Sequence, residues 1–137
     1  MRNVVIDANI VVSAALRRNS LPYHALALAR VHDVICMSDA VEQEIRRVIA
    51  RPKFQSIIMT VRRDHILDLL LVSALRVEPR EPVHDCRDDK DNQYLELALA
   101  ADAEIIVSGD RDLLDLDPWR GVRIMTAAEY IASFDPA

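Results

Sequence analysis

Short apolar segments separated by longer amphipathic ones recur along the chain and predict strands that alternate with helices. Residues 104–107 lack polar alternation, which is typical of a strand that is covered on both faces. The segments predicted as strands are 3–7, 33–37, a short edge strand at 76–79, 104–107 and 122–125. Strands that alternate with helices in this way favour an α/β doubly wound sheet with right-handed crossovers.

Apolar residues at helical spacing occupy the segments between these strands. Ser20, Ser38 and Thr126 stand where helix N-caps are expected, and Pro22 falls in a first turn. The predicted helices are 10–16, one starting at 20–22, one from 38 to 51–52, 57–75, 92–101, a brief turn at 112–114 and one from 126 to about 133. Residues 66–72 are more apolar than one helix face needs, which indicates either a buried helix or an oligomer interface.

The chain has 137 residues, of which 51% are apolar, and we predict one domain, residues 1–137, with one core. No apolar run reaches the roughly 18 residues needed to cross a membrane, and we expect no signal peptide. Cys36 and Cys86 lack zinc-ligand spacing and are too few for a disulfide framework. We therefore predict a cytoplasmic protein without membrane association.

The acidic residues are concentrated in two short segments of a chain whose net charge is -5. If the acids were distributed evenly, the negative net charge would argue weakly against a nucleic-acid-binding protein, because such domains are usually basic. The acids in the two segments are Asp85, Asp88, Asp89 and Asp91, followed by Asp110, Asp112, Asp115 and Asp117. Most of them are interpreted as solvated loop residues, but bound divalent cations would change the local sign of the charge.

Two acids directly follow predicted strands. Asp7 ends the first strand, with Asn9 two residues on, and Asp110 follows the strand at 104–107 through Ser108 and Gly109. The reactive site of an open parallel sheet lies beyond the carboxyl ends of its strands. Neighbouring carboxylates at that edge repel each other unless a cation neutralises them, so the pattern predicts a cation site.

Two further acids complete a candidate group of four. Asp91 stands at a helix start, and either Glu42 or Glu44 extends from the helix after the second strand, because helical geometry alone does not say which faces the site. Taken singly, Asp91 is also explained as a helix cap, Asp110 as a turn residue and Glu44 as a surface acid. Together the group predicts Mg²⁺ or Mn²⁺ held by oxygen ligands. Two such metals about 4 Å apart activate water and offset charge in phosphodiester hydrolysis.

Four segments in this order resemble the PIN domain family, and within it the VapC-like ribonucleases that are toxins of toxin–antitoxin pairs. The resembling segments are 5–9 with 12–16, 38–45 with 51–54, 87–92 with 95–98, and 108–114. The resemblance implies a single PIN-like domain with a parallel sheet of about five strands and helices on both faces. It also implies an endoribonuclease that depends on Mg²⁺ or Mn²⁺ and hydrolyses RNA with an activated water.

Carried over by position, the family's acids fall on four residues of this chain. The resemblance selects Glu44 over Glu42, because the glutamate of the family stands directly before the apolar residue that leads to segment 51–54. The implied catalytic and metal-binding residues are Asp7, Glu44, Asp91 and Asp110. The resemblance places Asn9 and Ser108 as polar supports near the metal, and Asp112 as a further ligand through water. Ser108 stands where threonine is common, which keeps the hydroxyl group.

The resemblance also implies the partners: RNA, a cognate antitoxin protein and further copies of this chain. We expect the copies to form a homodimer or a higher oligomer through residues 57–75. Arg46, Arg51 and Lys53 are the candidates for contact with RNA phosphates, which position a strand without reading its bases. The same side chains are also explained as solvated charges on helices.

Three other functions compete with the nuclease. A catalytically silent PIN-fold interaction module would keep the fold without activity. A phosphatase that uses Asp7 as a nucleophile would want a second aspartate two residues later, where this chain has Asn9. A phosphoacceptor receiver domain would need a late lysine, and no lysine follows Lys90.

Overall fold

A computed structural model describes residues 1–134 and contains a sheet of five strands surrounded by helices. The strands are β1 (Asn3–Ile6), β2 (Val34–Met37), β3 (Leu75–Arg76), β4 (Ile105–Val107) and β5 (Arg123–Met125). The helices are α1 (Ala8–Leu16), α2 (Leu21–His32), α3 (Asp39–Ile49), α4 (Pro52–Gln55), α5 (Thr60–Leu71), α6 (Asn92–Ala100), α7 (Arg111–Leu114) and α8 (Ala127–Ala132).

The strand order is β3-β2-β1-β4-β5, and every neighbouring pair is parallel. Helices α1, α2, α5 and α8 pack together along one side of the sheet, while α6 packs against β1, β2 and β4. Because right-handed crossovers that run in opposite directions cover opposite faces, α6 covers the other face. The predicted fold class, an α/β protein with a parallel sheet of about five strands and helices on both faces, is confirmed.

The sheet places its reactive edge between β1 and β4. The chain adds β2 and β3 on one side of β1, then crosses back to add β4 and β5 on the other, so the strand order reverses there. Ligands of doubly wound sheets bind beyond the carboxyl ends of the strands at such a switch point. Val4, Val5, Ile6, Ile106 and Val107 are completely buried, which holds both strand ends in a rigid core.

Side-chain caps start several helices where the sequence predicts them. The hydroxyl of Ser38 accepts a hydrogen bond from the backbone N of Val41, and Ser20 accepts one from Tyr23 in the same way. Thr126 forms a reciprocal capping box with Glu129. These caps confirm the starts of α2, α3 and α8.

The predicted helix at 57–75 is wrong at both ends. A separate short helix, α4, begins at Pro52, and α5 runs only from Thr60 to Leu71. Leu75 belongs to β3, because its backbone pairs with Cys36 of β2, and β3 ends at Arg76 rather than at residue 79. Strand pairing across the sheet therefore overrides the local helical pattern.

The apolar stretch of α5 is divided between the core and the surface. Ile66, Leu67 and Leu70 are buried, which confirms the buried-helix interpretation for these three residues. Val72 is 70% exposed, and Leu75 beyond the helix end is 43% exposed. An oligomer interface in this region stays a prediction. Within residues 1–134, no helix is both long and apolar enough to span a membrane.

Candidate metal centre

Asp7 sits at the carboxyl end of β1 with its carboxylate held from two sides. Its backbone N–H still donates to the carbonyl of Val107 in β4, which ties it to the neighbouring strand. Oδ1 accepts a hydrogen bond from the N of Asn9 at 3.1 Å, and Oδ2 accepts one from Oγ of Ser108 at 2.6 Å. The side chain is 98% buried, and this burial raises its pKa, a rise that the two hydrogen bonds oppose and that the nearby Asp110 carboxylate reinforces.

The hydroxyl of Ser108 joins the two strand-end acids. Its Oγ donates to Asp7 and accepts a hydrogen bond from the backbone N of Asp110 at 3.0 Å. Oδ1 of Asp110 in turn accepts from the N of Asp112 at 2.9 Å and caps α7. Because the Ser108 side chain is completely buried, the hydrogen bond that it donates and the one that it accepts fix the relative position of Asp7 and Asp110.

Asp91 reaches the site from the loop before α6. Asn92 fixes this loop, since its Oδ1 accepts from the N of Cys86 and its Nδ2 donates to Asp89. Asp91 occupies the N-cap position of α6, but its side chain makes no capping hydrogen bond. Its Oδ2 is buried and has no hydrogen-bond partner among the described residues. A helix-capping role therefore does not explain Asp91.

Three carboxylates converge at this point. Asp88, Asp91 and Asp110 each offer an oxygen, and these oxygens lie within 4.8 Å of one another. Burial raises the pKa of Asp91 to about 8, helped by the charges of Asp110, Asp7 and Asp88. Such a group of oxygen donors around an unpartnered buried oxygen fits a hard divalent cation, which would supply the missing positive charge.

Asp88 is the acid that sequence reasoning missed. It lies three residues before Asp91, and the 3-10 turn formed by Asp89–Asp91 brings both carboxylates to the same side. The i, i+3 spacing of Asp88 and Asp91 could have indicated that they face the same site. The many acids around them were instead interpreted as a solvated loop. Asp112, which the resemblance implies as a ligand through water, pairs with Arg87 at 2.9 Å in this structure.

Glu44 and Glu42 lie on different sides of α3. Glu42 accepts hydrogen bonds from Arg46 at 2.9 Å and from Arg76 at 2.6 Å, so it faces the β3 edge. Glu44 pairs with Arg47 and lines a depression together with Asn92 and other residues of α6. The structure does not bring Glu44 into the group formed by Asp88, Asp91 and Asp110.

The buried Tyr94 lies beneath the acids. Its hydroxyl accepts a hydrogen bond from the N of Ala8 at 3.2 Å, which supports the first turn of α1. Burial raises the pKa of Tyr94, and the charges of Asp7, Glu44 and Asp91 raise it further. The phenol therefore stays neutral and serves as a hydrogen-bonding support.

The other residues predicted for the site are dispersed around it. Asn9 is exposed in the first turn of α1. Arg46 is engaged with Glu42, on the side of α3 away from α6. Arg51 immediately precedes α4, and the ammonium group of Lys53 lies 5.0 Å from the centre of the Phe54 ring.

Fold and site together define a doubly wound α/β protein with a carboxylate site, of the kind that holds divalent cations, at the switch point of its sheet. The chain belongs to the PIN domain family, whose model matches residues 3–112. An uncharacterized protein of Methanocaldococcus jannaschii, MJ1680, is 30% identical over 115 residues, covering 82% of this chain and 74% of that protein.

Two solved structures share the fold at low sequence identity. A chain in the crystal structure of VapBC2 from Rickettsia felis, bound to a DNA fragment from their promoter, aligns with a TM-score of 0.60 and 14% identity. That alignment covers 90% of this chain and 98% of the other. PAE2754 from Pyrobaculum aerophilum aligns with a TM-score of 0.63 and 14% identity, covering 95% and 88% of the two chains.

Proposed function

We propose that this protein is a metal-dependent endoribonuclease that hydrolyses RNA phosphodiester bonds with a water activated by Mg²⁺ or Mn²⁺. The observation that carries the proposal is the convergence of Asp88, Asp91 and Asp110 beside the buried Asp7. These acids come from three separate parts of the chain, so their proximity is a product of the fold and not of local sequence. Membership of the PIN domain family supports a nuclease.

The residues that would hold the cation are Asp7, Asp91 and Asp110, together with Asp88. When bound, the cation lowers the pKa of a water molecule and offsets negative charge on the phosphodiester. Asp7 is positioned for this role before any ligand arrives, because Ser108 and the N of Asn9 already fix both its oxygens. Burial raises the pKa of Asp91 to about 8, so this carboxyl group would have to lose its proton in order to hold the cation.

Glu44 remains in the proposed set, as an acid in addition to these four, since it faces α6 whereas Glu42 faces β3. Its partner Arg47 is exposed on α3, so the ion pair is held weakly and can exchange. Arg51 and Lys53 are proposed as phosphate contacts, because neither pairs with a carboxylate among residues 1–134. Arg46 is proposed with them, although it is bound to Glu42.

We further propose that the protein is the toxin of a toxin–antitoxin pair in the cytoplasm, folded as a single domain, with a cognate antitoxin that covers the site. The similar structure from Rickettsia felis, VapBC2 bound to a DNA fragment from their promoter, supports a protein partner. Homodimerisation through the region of α5 is part of this proposal, supported by the exposed Val72 and Leu75.

Incubation of the purified protein with a mixed RNA pool tests the proposal. Cleavage is expected with Mg²⁺ or Mn²⁺ and not with EDTA, and single-stranded DNA in parallel reactions tests the choice of nucleic acid. Sequencing the cut ends gives the preferred site. Metal binding without cleavage of any RNA would contradict the nuclease and favour the catalytically silent interaction module.

Asp88 and Asp112 allow a direct comparison between a ligand that the fold indicates and a ligand that the family resemblance implies. Asp88→Asn is expected to weaken Mn²⁺ binding by roughly 10–100-fold, because Asp88 lies in the carboxylate group. Asp112→Asn is expected to weaken it less, since Asp112 is already paired with Arg87. Isothermal titration calorimetry measures both. A stronger effect at Asp112 would favour the ligand that the resemblance implies over Asp88.

A further inference from the structure

The basic residues of this acidic protein are segregated. Residues 8–32 contain three arginines and no acid, and residues 45–63 contain five arginines, one lysine and no acid. These two segments pack together, since α1 contacts α2, α3 and α5. The guanidinium of Arg62 donates to the carbonyl of Ala14 at 2.8 Å and lies 4.8 Å from the Tyr23 ring centre. Arg46 and Arg47 pair with Glu42 and Glu44, so the positive charge of these segments comes from other residues, among them Arg17, Arg51 and Lys53.

A groove leads from the acids towards these basic segments. Its inner part, about 390 Å³, lies between α1, α2, the start of α8 and the ends of β4 and β5. Its outer part, about 660 Å³, continues past the end of α1. Both parts share Ser13, Leu21 and Pro22, so they form one groove. We call it the α1–α2 groove; it runs from Asn9, Ser108 and Gly109 to Leu16, Arg17 and Asn19.

The charge of the α1–α2 groove suits a polyanion. No acid of the described residues lines it, and Arg17 at its outer end pairs with no carboxylate among them. A depression of about 410 Å³ on the other side of the acids is different, because Glu44, Asp89 and Glu96 line it against Arg47 and Lys90. The phosphate backbone of a strand bound at the carboxylate site is therefore attracted towards α1 and α2.

The dimensions and the surface of the groove suit a single strand. From Asn9 to Arg17 the axis of α1 covers about 12 Å, at 1.5 Å per residue, which is a few nucleotides. Leu21 is 54% exposed and Leu16 is 39% exposed, so unpaired bases find apolar surface between the polar ends. Duplex RNA is bound by shape across much longer sites.

We propose that the α1–α2 groove holds the single-stranded RNA on one side of the scissile phosphate, with Arg17 contacting a phosphate at its outer end. This inference rests on the proposed function, and it adds the path of the substrate. Ser13 and Asn9 line the path next to the acids, and Arg17 is a binding residue that does not touch the reacting atoms.

Binding of a fluorescein-labelled oligouridine in EDTA tests the path without cleavage. Arg17→Ala is expected to weaken binding about fivefold to tenfold and to reduce the salt slope of log K by about 0.7. Arg17→Lys, which keeps the charge, should restore most of the affinity. The matched control is Arg80→Ala, because Arg80 is exposed in a different depression, beside Glu78 and Glu81, and should change binding less than twofold.

A photo-crosslinking residue at Leu21 or at Gln93 then compares the two sides of the site. RNA crosslinks from position 21 support the inference, and crosslinks from position 93 alone overturn it. If the wild type cleaves RNA but Arg17→Ala and Arg80→Ala bind RNA with equal affinity, the proposed role of the groove is rejected and the proposed nuclease activity is not. A wild-type protein that neither binds nor cuts RNA would reject both. Binding of an acidic peptide, but not of RNA, in the groove would also overturn the proposal.

Discussion

Asp7→Asn is expected to lower kcat/KM for metal-dependent RNA cleavage by at least about 100-fold. Loss of a residue that merely supports a ligand costs about 10–100-fold, and Asp7 is proposed as a direct ligand. The fold should persist, because asparagine has the same shape and its Oδ1 can still accept from the N of Asn9. The Ser108 hydroxyl can rotate to accept from the new amide.

Single-turnover cleavage and circular dichroism together measure this effect. Asp115→Asn is the matched control: Asp115 is exposed, pairs with Arg87 and is not a proposed ligand. Asp110→Asn should reproduce the loss seen for Asp7. Full activity in a folded Asp7→Asn protein would remove Asp7 from the site and with it the proposed four-acid arrangement.

Asp91→Asn is expected to stabilise the protein in EDTA, increasingly as the pH rises. The pKa of Asp91 is about 8 in the folded protein against 3.8 for a free aspartate, so the folded state retains a proton that the unfolded chain releases. The stability contributed by this proton is complete below about pH 4 and is lost as the pH rises towards 8. Asparagine does not ionise, so the variant escapes this loss.

At pH 8 the free energy of unfolding of Asp91→Asn is expected to exceed that of the wild type by roughly 2–3 kcal/mol. The full value, about 1.36 kcal/mol per pKa unit, is reduced by about half because solvent screens the charges. This corresponds to a Tm increase of roughly 8–12 °C for a domain of this size. At pH 4 the two proteins should unfold at nearly the same temperature. Mn²⁺ should reverse the order at pH 8 by stabilising the wild type more. A Tm difference that is independent of pH would contradict the raised pKa of Asp91.

The strand-end acids were predictable from the sequence because their position follows from the sheet alone. Asp7 and Asp110 each follow a buried strand, and parallel strands bring such residues to one edge. The supporting role of Ser108 was implied by the resemblance to the PIN domain family. The caps at Ser20, Ser38 and Thr126 are local features, so they could also be predicted without the fold.

The features that depend on distant contacts could not be predicted. The pattern does not show that Asp88 joins Asp91 and Asp110, because a turn outside any regular pattern brings them together. It does not show that Arg47 neutralises Glu44, since two long side chains on one helix have many alternatives. Leu75 lies in a strand and not in the predicted helix, because its backbone pairs with β2.

The order of the strands divides the chain into two parts, which join where β1 pairs with β4. β1, β2 and β3 come from residues before Pro79, and β4 and β5 come from residues after it. A break in the exposed segment near Pro79–Pro82 therefore leaves Asp7 on one fragment and Asp88, Asp91 and Asp110 on the other. Neither fragment carries all the proposed ligands. If each fragment were fused to one of two proteins that dimerise, RNA cleavage would therefore depend on the association of those two proteins.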